Sequence, residues 1–203
     1  MSPGLNLITC ASFGREIEAV RSSPDLSDVR FISLPTVCDL TEARWPDLAQ
    51  TVAACAGRGG STGIVGGYCL SRPCRELGPD AGCRLHQESQ CLEWVADRAV
   101  LDRMLRDGAL PVLPGWIENW ESHIDARWPG DRKAAQAFYR DVARKVVLVD
   151  TGANPGVDRE LRAFGRFLKL PVEVLPAGVW YTGAWKRQQP AEMPELQTME
   201  VRK

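Results

Sequence analysis

The residues best equipped for chemistry are cysteines, seven of them in a chain of 203 residues. Four stand at or just beyond segments that read as β-strands. Leu5 to Thr9 is a strand, and Cys10 ends it. Val29 to Leu34 is a second strand, Pro35 stops it, and Cys38 lies in the loop just past it. Ile64-Val65-Gly66-Gly67-Tyr68 reads as a buried strand that ends on Cys69. Glu88-Ser89-Gln90 leads into a long helix, Cys91 to Arg106, with Cys91 in its first turn. In a parallel α/β sheet the carboxyl ends of the strands share one edge, where such folds bind ligands. Cys10, Cys38, Cys69 and Cys91 are therefore expected to converge on one metal site. Thiolates in a tetrahedral set suit zinc or an iron–sulfur cluster, and the choice between them stays open.

The four thiols come from separate loops, with no Cys-x-x-Cys knuckle. This argues for a site assembled by the fold and against a local zinc finger. At a helix N-terminus the Cys91 thiolate would be favoured by the helix dipole. With three ligands an open position remains, as a catalytic site requires. Cys38 is the ligand for which Cys74 and Cys83 are substitutes, and Cys74 is alternatively a redox partner of Cys69. The competing reading makes the cysteines small buried hydrophobes. Cys55 fits that reading, because Leu48, Val52 and Cys55 follow helical spacing.

Other groups sit where they could serve a pocket. Tyr68 precedes Cys69. Trp116 and Trp120 lie one helical turn apart after a strand end, and either wall an apolar pocket or pack the core. Arg15 and Glu16 begin the helix after Cys10, within reach of the site or as a solvated helix start. Asp150 ends a strand and either binds a ligand or caps the next helix. Asp150-Thr151-Gly152 matches the aspartic-protease tripeptide, but those enzymes are all-β and need two such loops. His86, on a short strand, and His123, on a polar helix face, have no metal-motif partner at the fourth position beyond them. There is no Ser/His/Asp nucleophile elbow. The turn Cys10 to Gly14 holds a single glycine, which rejects a dinucleotide fingerprint. The glycine-rich run Gly57 to Gly63 precedes a strand, whereas a phosphate loop follows one.

Strand and helix alternate through nearly the whole chain. That pattern predicts an α/β fold, a mostly parallel sheet with helices on both faces in three layers. We expect a single α/β domain over 1–187, in two Rossmann-like halves, 1–75 and 83–187, and a mobile tail over 188–203. Val146-Val147-Leu148-Val149-Asp150 is the clearest strand, an unbroken apolar run suited to burial on both faces. Further strands are expected at Leu110 to Leu113 and Pro171 to Leu175, with an edge strand near Val179 to Thr182. Ser12 is a candidate N-cap for the first helix and Asp131 for a helix from Arg132 to about Arg144.

The chain is 44% hydrophobic and 25% charged, with a formal net charge of -1. A balanced charge gives no reason to expect nucleic acid or an anionic membrane as partner. No stretch of about twenty apolar residues is present, so no membrane span is expected. The start, Met1-Ser2-Pro3-Gly4, lacks a basic flank and an apolar signal core. The expected location is cytoplasmic, where thiols stay reduced.

The order of motifs resembles the family catalogued as domain of unknown function 1638. The likeness rests on Ile8-Thr9-Cys10 followed by Arg15-Glu16-Ile17, on Gly67-Tyr68-Cys69, and on the polar approach to Cys91. Leu113-Pro114-Gly115-Trp116 with Trp120, and Val147-Leu148-Val149-Asp150-Thr151-Gly152, complete it. Two departures stand out. The family turn is Tyr-Gly-x-Cys-Gly where this chain has Gly67-Tyr68-Cys69-Leu70-Ser71. The family's acidic pair before the helix cysteine is Ser89-Gln90 here. The resemblance implies a setting in or beside corrinoid-dependent methyl transfer in one-carbon metabolism, with a small-molecule ligand or a methyltransferase or corrinoid protein as partner. Whether the protein is an enzyme, a metal-bound sensor or docking module, or a metal-free domain with buried thiols stays open at the level of sequence.

Overall fold

The structure is a computed structural model. It describes residues 4–35, 38, 45–56, 61–67, 69, 83–87 and 90–177, with the backbone alone for Asp25, 45–48, 55–56 and 83–87. The expected edge strand near Val179, the tail over 188–203, Tyr68 and Cys74 lie outside the described residues.

The first sheet is built around β1 (Leu5–Cys10), which is buried from Asn6 to Cys10. Burial of successive residues means that both faces of the strand are covered, the condition for a parallel sheet. β2 (Val29–Leu34) lies on one side of β1 and β3 (Ser61–Gly66) on the other. β4 (Cys83–Gln87) pairs with the outer side of β3. Every pairing is parallel, and the order is β2-β1-β3-β4. The expected halves therefore need one adjustment. Thr62 pairs with Cys83 and Gly66 with Gln87, so β4 belongs to the first sheet and not to the second half. The helices α1 (Gly14–Val20) and α2 (Trp45–Ala56) belong to this part of the chain.

The chain moves from β1 outward to β2, then returns to the other side of β1 as β3. Such a reversal leaves a crevice at the carboxyl ends of the two strands where the chain parts in opposite directions. It lies between the ends of β1 and β3, at Cys10 and Gly66.

The second sheet contains β5 (Ala109–Val112), β6 (Lys145–Asp150) and β7 (Val172–Pro176), in that order and all parallel. Its centre is the apolar run expected from sequence: Val146 to Val149 are all buried. Its helices are α3 (Arg98–Arg106), α4 (Pro114–Ile117), α5 (Trp120–Arg127), α6 (Arg132–Val142) and α7 (Asp158–Leu168). On α7, Leu161, Phe164, Gly165 and Leu168 form the buried stripe that helical spacing dictates. The fold is α/β, with two parallel sheets joined through helices and turns.

Three expected helix boundaries differ. Cys91–Trp94 is a short 3-10 turn, and α3 starts afresh after Asp97. The Asp97 carboxylate accepts the backbone N–H of Ala99 at 2.7 Å, satisfying a helix-start donor there. A second break falls at Glu118 and Asn119. The Asn119 side chain donates to the Gly115 carbonyl at 3.3 Å, and α5 begins at Trp120. Ser12 is buried inside a 3-10 turn, Ala11–Phe13, and the cap position of α1 falls to Phe13 instead. Asp131 does cap α6, accepting the Ala134 N–H at 2.9 Å.

The two parts meet in close backbone contact. A Cβ on Gly115 of α4 would stand 2.4 Å from the Ser12 carbonyl oxygen, so only glycine allows this approach. Leu113 and Val149 complete the core of the first part. Trp116 packs against both cores.

Candidate metal centre

Cys10, Cys38, Cys69 and Cys91 line one cavity of about 300 Å³. Each arrives by a different route. Cys10 is the last residue of β1, Cys38 lies past β2, Cys69 past β3, and Cys91 opens the 3-10 turn. The reversal between β1 and β3 provides the crevice, and the other walls come from the second part. Leu110 to Leu113 and Trp116 supply one, Arg127, Phe138 and Tyr139 another.

The turn bearing Cys91 is fastened to the end of β3. The Trp94 indole N–H donates to the Gly66 carbonyl at 3.0 Å in a buried setting. The Glu93 carboxylate accepts the Gln90 N–H at 3.1 Å, closing a capping box around the turn. A Cβ on Gly67 would stand 2.7 Å from the Cys91 nitrogen, so the strand end and the turn touch backbone to backbone.

The thiols influence one another. Burial pushes the Cys91 thiol up to about 12, with Cys69 and Cys10 adding to the shift. The N–H groups of Cys91 and Leu92 act the other way but are outweighed. The helix-dipole benefit expected from sequence is thus overturned at this cysteine. A four-residue 3-10 turn offers little dipole, and desolvation dominates. A hydrogen bond with Cys69 pushes the Cys38 thiol up, and burial and the neighbouring thiols add to it. Cys38 is exposed as a residue, while its thiol turns inward to Cys69. Without metal, Cys38 and Cys91 are therefore protonated near neutral pH.

The donor set fits a soft metal. Four thiols line the cavity, and among the described residues no carboxylate or imidazole does. That is the chemistry of zinc or iron–sulfur sites, whereas magnesium and calcium want oxygen. Among the described residues no three His, Cys, Asp or Glu side chains are drawn together closely enough to hold an ion as they stand. Loading would require the thiols to close in and shed their protons.

Other expected pocket residues fall elsewhere. Trp120 is buried against Phe164 and Phe167, with ring centroids at 5.3 Å and 5.0 Å, in the second core. The break at Glu118 and Asn119 separates it from Trp116, which alone of the pair lines the cavity. His123 is not on a polar face. It is buried and stacks on Trp116 at 5.0 Å, behind the cavity wall. The side chains of His86 and Cys83 on β4 are outside the described set. Asp150 accepts the Gly152 N–H at 2.9 Å and shapes the turn after β6, away from the cavity. Arg15 pairs with Glu118 at 3.1 Å across the joint, and the Asn154 amide donates to the same carboxylate.

Glu16 is fully buried, and it too serves the joint. The Thr151 hydroxyl donates to its Oε1 at 2.7 Å, while its Oε2 is buried without a hydrogen-bond partner among the described residues. Burial raises its pKa above 4.5, Glu118 and Asp150 add to the rise, and the Thr151 bond opposes it. The folded chain therefore holds a proton that the unfolded chain releases. Stability from this group is full below the ordinary carboxyl value and is lost as pH rises through the raised one. We expect Glu16→Gln to remove this slope, which reaches at most about 1.4 kcal/mol per pH unit. Urea midpoints of both proteins between about pH 5 and 7 test it, and parallel curves would refute the assignment.

Arg127, Phe138 and Tyr139 were not legible as cavity residues. They lie on α5 and α6, and their only sequence signal is an aromatic pair on a polar helix. No protein family, characterised protein or solved structure matches the chain. Among the described residues no helix is long and apolar enough to cross a membrane.

Proposed function

We propose that this α/β protein holds one soft metal, zinc or an iron–sulfur cluster, on thiolates of Cys10, Cys38, Cys69 and Cys91, and uses it on a small molecule. One observation carries the reading: four thiols from four separate segments line one cavity at the reversal point of a parallel sheet. Cysteines placed for packing alone have no reason to gather at the ligand-binding edge of the fold. Held by three of the thiolates, with the fourth position open, zinc would supply a Lewis acid toward a thiol or methyl-bearing substrate, and a cluster would supply an electron path. The chain's own part is separate. Cys38 and Cys91 give up protons on loading, the Trp94 bond to Gly66 orients the Cys91 turn, and Leu113 and Trp116 give the cavity an apolar wall. The resemblance to domain of unknown function 1638 supports a setting in or beside corrinoid-dependent methyl transfer, with a methyltransferase or corrinoid protein as partner.

The test is metal and sulfide analysis with an absorption spectrum on protein purified without oxygen, beside the Cys69→Ala, Cys91→Ala double variant. We expect metal in the parent and its loss in the variant. Brown protein with iron and sulfide assigns a cluster, and colourless protein with zinc assigns zinc. Equal metal in both proteins, or none in either, overturns the proposal.

A further inference from the structure

We infer that the same cavity takes a small organic monocarboxylate, its apolar body against Trp116, Phe138 and Tyr139 and its carboxylate on Arg127. The inference deepens the proposed function by naming the substrate class, and it rests on reading the cavity as a reaction site.

The two walls differ in chemistry. The first part contributes the thiols. The second contributes aliphatic and aromatic groups and one ion, for among the described residues Arg127, itself solvent-exposed, is the only charged one in the lining. A single cation beside aliphatic and aromatic walls, across from the thiols, calls for a ligand with one negative group and an apolar remainder. A polyphosphate would need further cations, and among the described residues the lining holds no second one.

The cation is held, and among the described residues nothing neutralises it. Its guanidinium lies over the Trp128 ring at 5.1 Å and the Phe138 ring at 5.6 Å. Stacking of this kind fixes the plane of the guanidinium and leaves its N–H fork for a partner. The acids nearest in sequence are engaged elsewhere. Asp125 binds Arg132 at 2.8 Å and Glu121 binds Arg132 at 3.4 Å. Among the described residues no carboxylate pairs with Arg127, so a carboxylate from outside can meet the fork with two parallel hydrogen bonds. Two further features limit the ligand. About 300 Å³ lies at the small end of ligand cavities. Trp116, stacked on His123 and set edge-on to Phe164 at 5.4 Å, presents a fixed apolar wall.

Hydrocinnamate and its neutral amide are the probes, titrated calorimetrically into the oxygen-free full chain. We expect the acid to bind at least about tenfold more tightly than the amide, because a charge-assisted pair is lost. Arg127→Gln should weaken the acid by about the same factor and leave the amide unchanged, with Arg127→Lys between them. Equal binding of acid and amide, no binding of either, or an acid affinity unmoved by Arg127→Gln would overturn the inference. Metal content is read on the same preparations. Carboxylate binding without metal would sink the metal reading alone, and metal retained with indifference to charge would sink this one alone.

Discussion

Phe164→Ala is expected to lower the free energy of unfolding by about 3–5 kcal/mol. The ring is fully buried on α7. It is set edge-on to Trp116 at 5.4 Å and to Tyr139 at 6.0 Å, and tilted against Trp120 at 5.3 Å. Large rings close around it cannot collapse into the space it would leave, so the cavity term adds to the lost transfer energy. Trp116 and Tyr139 also face the thiol cavity, and the loss should loosen that wall. Urea unfolding with Phe164→Leu as the smaller deletion is the measurement. A loss below about 1 kcal/mol would mean that the aromatic cluster is not packed as described.

Gly67→Ala is expected to weaken metal binding by at least about tenfold, the scale seen when groups that orient ligands are disturbed. The added methyl would stand 2.7 Å from the Cys91 nitrogen and 3.3 Å from the Gln90 carbonyl carbon. Both are backbone atoms and cannot rotate aside. The turn is tied by the Trp94 bond and its capping box, so it must move as a body and carry Cys91 with it. Overpacking of this kind costs about 1–3 kcal/mol of stability as well. Chelator competition gives the metal affinity and denaturation gives the stability. Gly14→Ala is the control, for nothing lies within 4 Å of its Cβ position, and it should leave metal affinity unchanged without lowering stability. Reduced stability with unchanged metal affinity would remove Cys91 from the ligand set.

Patterns confined to one element were the most readable. The apolar run of β6 could be taken from Val146 to Val149 directly, because burial on both faces demands it. Three cysteines announced themselves by falling at or near strand ends, and the parallel-sheet rule turned that into a shared location. Features that depend on competition between neighbours were not readable. Whether Cys91 to Arg106 runs as one helix is decided by the Asp97 carboxylate, which captures two backbone donors and restarts the chain. The divergence of Trp116 and Trp120 turns on one amide, that of Asn119. The joint was also hidden. Arg15 and Glu16 read as helix-start charges with a view of the site, yet their partners, Glu118 and Thr151, come from the far side of the fold. Arg127 and Phe138 could be read only after α5 and α6 had docked.

The long-range joint has a consequence for the protein's birth. Thr151 meets Glu16 across 135 positions, and Tyr139 walls a cavity whose thiols end at Cys91. Synthesis proceeds at about 5–20 residues per second, so several seconds separate the emergence of Cys91 from that of the wall that covers it. During that interval the nascent chain presents thiols to oxidants and stray metal ions without a lid. The order of the segments along the chain thus separates in time the making of the thiols from the making of the wall that the folded protein sets beside them.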